Sequence, residues 1–245
     1  VKTAIVNGRL SSRSFPRYRL ARGFFRHVLA DIDRFCVQSE ESARRFVAIG
    51  APPDRITVTG SLKFDSLEPA SAGQVRSRER VLRYFRFPPS RPVWIAGSTM
   101  RGEEAIVLRV FRRLKTVQPS AVLVLAPRHP ERFDDVVALA LQEGFRTIRR
   151  SELPIDAEPR ADVVVLDTIG ELAAVYQVGT VVFVGGSLVA TGGHNILEPA
   201  VFGRPVVFGP HMQNFAEIAT TFVANDAGVQ VASDGAFEDE VLALV

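Results

Sequence analysis

The chain predicts an α/β protein built on parallel sheets. Short valine-rich runs alternate with amphipathic helical stretches, the runs are apolar on both faces, and the turns between them gather Gly, Ser, Thr and His just after the runs. Strands buried on both faces need helices on both sides, and sheets of that kind bind ligands at the carboxyl ends of their strands.

The runs read as strands at Thr3–Val6, Arg34–Gln38, Ile56–Gly60, Val93–Gly97, Ala121–Ala126, Asp162–Leu166, Thr180–Val184, Pro205–Phe208 and Val229–Val231. Ser39 is placed to cap a helix that runs through Ala48 and stops at Gly50. A longer helix, Gly102 to Val117, turns Ile106, Val107, Val110, Phe111 and Leu114 to one side. Its acids, Glu103 and Glu104, fall at the start and its bases, Arg112, Arg113 and Lys115, at the end, as the helix dipole favours. Residues 66–91 hold Pro69, Ser71, Gly73, Pro88, Pro89 and a short basic amphipathic helix, and read as a linker. The expected division is therefore 1–65, 66–91 and 92–245. The first part supplies three strands, short of a complete doubly wound domain.

A 47% hydrophobic and 23% charged composition is that of a globular protein with a real core. The one cysteine, Cys36, rules out a disulfide within the chain and fits a reducing compartment. No run of eighteen apolar residues occurs, and no signal peptide is recognisable. The chain opens on Val rather than Met and closes on an apolar helical stretch, Val241–Val245, so both ends are expected to be cut from something longer. The net charge of +3 is uneven: residues 9–27 carry Arg9, Arg13, Arg17, Arg19, Arg22 and Arg26 and no acid, so the remainder is net negative.

Five stretches carry candidate chemistry. Gly97-Ser98-Thr99-Met100-Arg101-Gly102-Glu103-Glu104 joins a strand to a helix and offers N–H and hydroxyl groups to phosphate, or else Ser98 or Thr99 caps the helix. Pro127-Arg128-His129-Pro130-Glu131-Arg132 sets Arg128 and His129 at a strand end, where a guanidinium can fork onto an anion; the alternative is a solvated loop with Arg132 paired to Glu131. Asp167-Thr168-Ile169-Gly170-Glu171-Leu172 suits a backbone contact to a base or ribose, or a capping box of Thr168 and Glu171. The run GGSLVATGGHNILEPA is the most informative. Gly185, Gly186, Gly192 and Gly193 remove side chains where backbone approaches something closely, and His194, Asn195 and Glu198 follow at a helix start that favours an anion. Asn195 and Glu198 also suit an N-cap and its partner. Gly209-Pro210-His211, with Asn214 after it, ends the next strand. His129, His194 and His211 lack metal-ligand spacing and a finishing carboxylate, so no metal is expected. Finally, the arginine patch is interleaved with Phe15, Tyr18, Phe24 and Phe25, which suits an anionic membrane surface over nucleic acid, for which no motif is present; a solvated helical face is the plain alternative.

Taken in order, VNGRLSSRSFPRY, CVQSEESARRF, ITVTGSLKFD, GSTMRGEE, LAPRHPERF, VLDTIGEL, FVGGSLVATGGHNILEPA and FGPHMQNF resemble the Kdo transferases of lipopolysaccharide synthesis. The resemblance spans nearly the whole chain. It implies a GT-B fold of two Rossmann-like doubly wound domains, with the N-terminal acceptor domain incomplete and 92–245 as the CMP-sugar donor domain. It implies a metal-independent, inverting transfer of 3-deoxy-D-manno-octulosonic acid (Kdo) from CMP-Kdo to the lipid A precursor lipid IVA, without a cofactor, at the cytoplasmic face of the bacterial inner membrane. By the same resemblance Ser98, Thr99, Arg128, His129, Gly185, Gly186, Ser187, Gly193 and His194 face CMP phosphate and sugar. The Ile169, Gly170 and Glu171 backbone meets cytosine, and Asn195 and Glu198 meet ribose and phosphate. Asn7 and Arg9 fall on the acceptor side and Lys63 near the inter-domain cleft, while Arg13, Arg17, Arg19, Arg22 and Arg26 make up the lipid-phosphate patch read from the residues themselves. The family's base, a Glu beside a glycine-rich turn early in the N-terminal domain, is implied to lie upstream of residue 1, so that this chain binds donor without turnover. GSTMRGEE departs from the family pattern, with Met100 and Arg101 where a His and an acid or Pro are usual. The readings left open are a GT-B enzyme with a UDP-sugar donor, and a non-catalytic nucleotide-binding or membrane-docking module.

Overall fold

The computed structural model describes residues 1–11, 14–62, 64 and 72–245. They form two compact units, 1–68 and 69–245.

The first unit is a parallel three-stranded sheet in the order β1 (Ala4–Gly8), β2 (Arg34–Val37), β3 (Ile56–Val58). Helices α1 (Phe15–Leu20) and α2 (Arg22–Ala30) follow β1, and α3 (Glu40–Ile49) follows β2. The core is Leu10, Leu29, Phe35, Val37, Phe46, Ile49 and Ala51. Helix α3 has the predicted ends. The Ser39 hydroxyl accepts from Ser42 N at 3.2 Å, and Gly50 closes the helix at φ +112°, a conformation with a steric penalty for side chains.

The second unit holds a parallel sheet of β4 (Val93–Thr99), β5 (Val122–Pro127), β6 (Thr147–Arg149), β7 (Val163–Val165), β8 (Val181–Val184), β9 (Val206–Phe208) and β10 (Val229–Gln230). Their spatial order is β10-β9-β8-β4-β5-β7-β6. Helices α4 (Ala72–Leu82), α5 (Glu103–Val117), α6 (Phe133–Gln142), α7 (Leu172–Val175), α8 (Leu197–Ala200), α9 (Ala216–Ala224) and α10 (Asp234–Leu244) complete it. Each face of the sheet has its own core, as alternation along β4 requires. Trp94 and Ala96 meet Val107, Phe111 and Phe237 on one face, while Val93 and Ile95 meet Val81, Phe85, Tyr176 and Val182 on the other. Full burial of one such large side chain contributes about 1.5–3 kcal/mol.

Every predicted strand is present, within a residue or two at its ends. Strand β6 is additional; its residues are half-buried at a sheet edge and flanked by arginines, so no apolar run marks it. Residues 72–91, expected as linker, carry α4 and place Val81 and Phe85 in the core of the second unit; Pro69 and Ser71 lie outside the described residues. In α5 the buried face is Val107, Leu108, Val110, Phe111 and Leu114, with Ile106 only partly buried.

The chain leaves β4 towards β5 on one side and later sets β8 against the other side of β4. This is a topological switch point, and its crevice lies at the carboxyl ends of β4 and β8.

Candidate functional site

Two turns meet at that crevice. Near the end of β4 Ser98 takes φ +56°, after it Gly102 takes φ +100°, and α5 starts at Glu103. Neither Ser98 nor Thr99 caps the helix, which corrects that reading. Thr99 belongs to β4, is fully buried, and its Oγ1 has no hydrogen-bond partner among the described residues. Its carbonyl accepts from Arg128 N at 3.0 Å, which ties the end of β4 to the end of β5.

After β8, the glycine turn is satisfied from within. Gly185 N donates to Gly97 O at 2.8 Å. Gly186 N donates to Glu103 Oε2 at 2.7 Å, and Ser187 N and Leu188 N donate to Glu103 Oε1 at 3.0 and 2.9 Å. Met100 N adds a fourth donor to Glu103 Oε2 at 2.8 Å. The Ser187 hydroxyl, fully buried, donates to Val184 O and accepts from Gly209 N. In the turn of Gly185, Gly186 and Ser187, which the resemblance sets facing CMP phosphate and sugar, the N–H groups are spent on Glu103 and β4. Glu103 itself was expected only to complement the helix dipole. It is fully buried. Burial pushes its carboxyl above the ordinary carboxylate value, and the four amides pull the other way.

The glycines have the same internal explanation. A Cβ on Gly185 would lie 2.6 Å from Ser98 O and 2.8 Å from Glu103 Oε2. One on Gly192 would strike the Asn214 side chain, and one on Gly193 the Met212 sulfur. Gly193 N donates to Gly186 O at 2.7 Å. Close approach is required, as predicted, but what approaches is the protein.

The groups left open lie on the neighbouring strand ends. Arg128 and His129 are exposed after β5. Arg132, four residues on, forms a two-pronged pair with Glu104 at 2.7 and 2.9 Å instead of pairing with Glu131. His194 is half-buried, and its Nε2 is buried without a partner among the described residues. Burial, then the charges of Arg128 and His129, hold its pKa below the ordinary histidine value. Glu198 is half-buried, with Asn195 Nδ2 3.3 Å from its Oε1. Burial raises its pKa, and Asn195 and Arg128 oppose that. Arg128 and His129 thus act through charge on His194, and Arg128 acts on Glu198. Helix α8 spans only four residues and Asn195 accepts from Leu197 N at 3.2 Å, so the expected anion-favouring helix start is reduced to a short turn. After β7, Ile169 is 82% exposed and Gly170 is open at φ +83°. The Glu171 carboxylate is held by Arg150 and Thr168, at 2.7 and 2.6 Å, and does not form the expected capping box. Arg150 in turn stacks on Tyr84. Met100 is half-buried, and Arg101 is exposed near Asp135.

In the first unit, Asn7 takes φ +57°, and its side-chain oxygen accepts from Gln38 Nε2 and Leu62 N at 2.7 and 3.2 Å. It knits the ends of β1 and β2 together. Arg9, Arg17, Arg19, Arg22 and Arg26 are exposed, with Leu20 and Phe24 exposed among them. Lys63 and Arg13 lie outside the described residues.

Sequence reasoning missed Glu103 as a grip on the glycine turn, and it missed Tyr176. Tyr176 is buried where a Cβ on Gly97 would strike its hydroxyl, and its pKa is raised by burial and by Glu198. An acid directly after the glycine that opens α5 was the available signal for Glu103, and the dipole reading absorbed it.

A parallel sheet with this switch point and a charged, partly buried crevice defines a ligand-binding α/β domain of the GT-B type. Over the whole of this chain and 63% of its own, UDP-GlcNAc 2-epimerase from Methanocaldococcus jannaschii shares the fold, with TM-score 0.59 at 12% identity. The chain belongs to the 3-deoxy-D-manno-octulosonic-acid transferase (Kdo transferase) family, a family of glycosyltransferases. The family model of that description matches residues 1–66. The 3-deoxy-D-manno-octulosonic acid transferase of Haemophilus influenzae is 37% identical over 98% of this chain and 56% of its own. The C-terminal CMP-Kdo binding domain of WaaA from Acinetobacter baumannii is 32% identical, with TM-score 0.61, over 69% of this chain and 88% of that domain. The chain spans about half the length of the curated relatives it matches.

Proposed function

We propose that residues 92–245 bind CMP-Kdo and that the protein transfers Kdo to a lipid A precursor, lipid IVA, with inversion and without a metal. The observation that carries this is the likeness of 69% of the chain to the CMP-Kdo binding domain, together with Arg128, His129 and His194 in the crevice. In the proposed reaction an acceptor hydroxyl attacks the anomeric carbon, a base takes its proton, and the bond to CMP breaks with its electrons left on the phosphate. Arg128, His129 and His194 receive that phosphate, Asn195 and Glu198 meet the ribose, and the open backbone at Ile169 and Gly170 meets the base. These 245 residues supply the leaving-group side, and binding of donor without turnover is the activity proposed for them alone.

The exposed Arg17, Arg19, Arg22 and Arg26, with Leu20 and Phe24, are proposed to rest on anionic lipid at the cytoplasmic face of the inner membrane. Among the described residues no helix is long and apolar enough to cross a membrane.

Calorimetric titration with CMP and UMP tests the donor reading. CMP is expected to bind about ten-fold more tightly or better, because the two bases present opposite donor and acceptor patterns at position 4. Equal affinity would favour a UDP-sugar donor. Binding to anionic vesicles with neither nucleotide bound would favour a docking module.

A further inference from the structure

We infer that Glu103 is a positioning residue of the crevice: its carboxylate is a built-in anion seated in a backbone nest, and it leaves the donor phosphate to Arg128, His129 and His194 rather than to the glycine turn. The assignment of the nest stands on geometry alone, and its consequence for donor rests on the function proposed above.

Three successive amides, Gly186, Ser187 and Leu188, converge on one carboxylate at 2.7 to 3.0 Å, and Gly186 sits at φ +68°. Successive N–H groups turned to one point in this way form a concavity that binds anions. Here the anion comes from α5, 83 residues earlier in the chain than Gly186, and the Met100 amide closes the fourth side. All four groups acting on Glu103 through hydrogen bonds are backbone amides. Gly185 leaves no space between this carboxylate and the turn.

The two turns gripped by Glu103 are those that support His194 and Arg128. On one side, a Cβ on Gly186 would lie 2.8 Å from His194 Cδ2, so the His194 ring lies directly against the turn. The Gly186 carbonyl also accepts from Gly193 N and from Thr191 Oγ1, at 2.7 and 2.8 Å, which fixes the segment leading into His194. On the other side, Met100 adjoins Thr99, whose carbonyl holds Arg128 N. Loss of the carboxylate would free four amides at once and loosen the seats of His194 and Arg128 together.

The test uses the full chain with Glu103→Ala, titrated with acetate, inorganic phosphate and CMP. The amide resonances of Gly186, Ser187 and Leu188 are followed by NMR, and CMP affinity by calorimetry. In the unmodified chain, phosphate is expected to leave those three amides unmoved. In the variant, acetate or phosphate is expected to shift all three, CMP affinity to fall about ten-fold or more, and excess acetate to recover most of that loss. A variant that keeps its unfolding midpoint and binds CMP as the parent does, or loses CMP binding without recovery by acetate, overturns the positioning role. If Glu103→Ala does not fold, amide hydrogen exchange on the unmodified chain decides. The three amides are expected to exchange about a hundred-fold more slowly than those of Ile169 and Gly170, and equal rates overturn the nest. Failure of the unmodified chain to bind CMP would sink the donor reading, while the exchange rates and the acetate shifts would still judge Glu103.

Discussion

The turns that follow β5 and β8 flank the same central strand and meet their polar groups in opposite ways. After β8, each N–H from Gly185 to Leu188 ends on a protein oxygen. After β5, Arg128 and His129 stand exposed, and only Arg132 turns back to a buried partner. The glycine-rich turn looks the more like a phosphate cradle, yet its anion is already Glu103. Glycine content reports close approach; it does not report what approaches. A ligand site is recognised by donors that the fold leaves unspent.

The sharpest way to break this contrast is within one turn. Arg132→Ala would leave Glu104, 1% exposed, as a buried charge without its partner, and a loss of about 3–5 kcal/mol is expected by chemical denaturation. A loss below about 1 kcal/mol would show that Arg132 is as solvated as Arg128.

Arg128→Ala should do the reverse, weakening CMP about 10- to 100-fold by calorimetry while the unfolding midpoint stays in place. Unchanged affinity would remove Arg128 from the phosphate group.

Two glycine substitutions sharpen the same difference at smaller scale. Gly193→Ala drives a methyl into the Met212 sulfur at φ +76°, whereas Gly170→Ala, at φ +83°, meets open space. Gly193→Ala should cost about 1–2 kcal/mol more than Gly170→Ala, measured by thermal unfolding. Equal costs would mean that backbone strain alone explains both.

The smallest effect expected is a pH dependence. The folded state holds the His194 pKa below its ordinary value, so folding favours the neutral ring. The contribution is complete above the unfolded pKa of about 6.5 and is lost as pH falls through the lower folded-state pKa. His194→Gln should therefore flatten the stability profile on the acid side of about pH 6.5. An unchanged profile would place the ring in water.

Much of this was legible beforehand. Apolar runs marked all but one strand, since a strand covered on both faces has little choice of residue. Ser39 and Gly50 marked the ends of α3, because capping and left-handed closure are local chemistry. The escape of β6 has a local cause too: an edge strand of three residues among arginines buries too little to show a pattern. Residues 72–91 misled for a different reason. Their prolines and charges read as linker, while Val81 and Phe85, shortly before Pro88 and Pro89, are held in a core whose other members come from distant strands.

Sequence by itself determined the parallel α/β class, the order of its elements, the family, and the positions where the backbone has to come close to a neighbour. The family follows from the resemblance of its ordered motifs, and the rest from periodicity, capping and side-chain volume, all of which act over a few residues. Only the tertiary structure decided which neighbour that is. Glu103 and Gly186 meet because β4 and β8 pair in parallel register, bringing residues 83 apart in the chain within hydrogen-bond distance. A buried amide takes whichever acceptor the register brings to it, and so the register separates the donors spent on the fold from those left for a ligand.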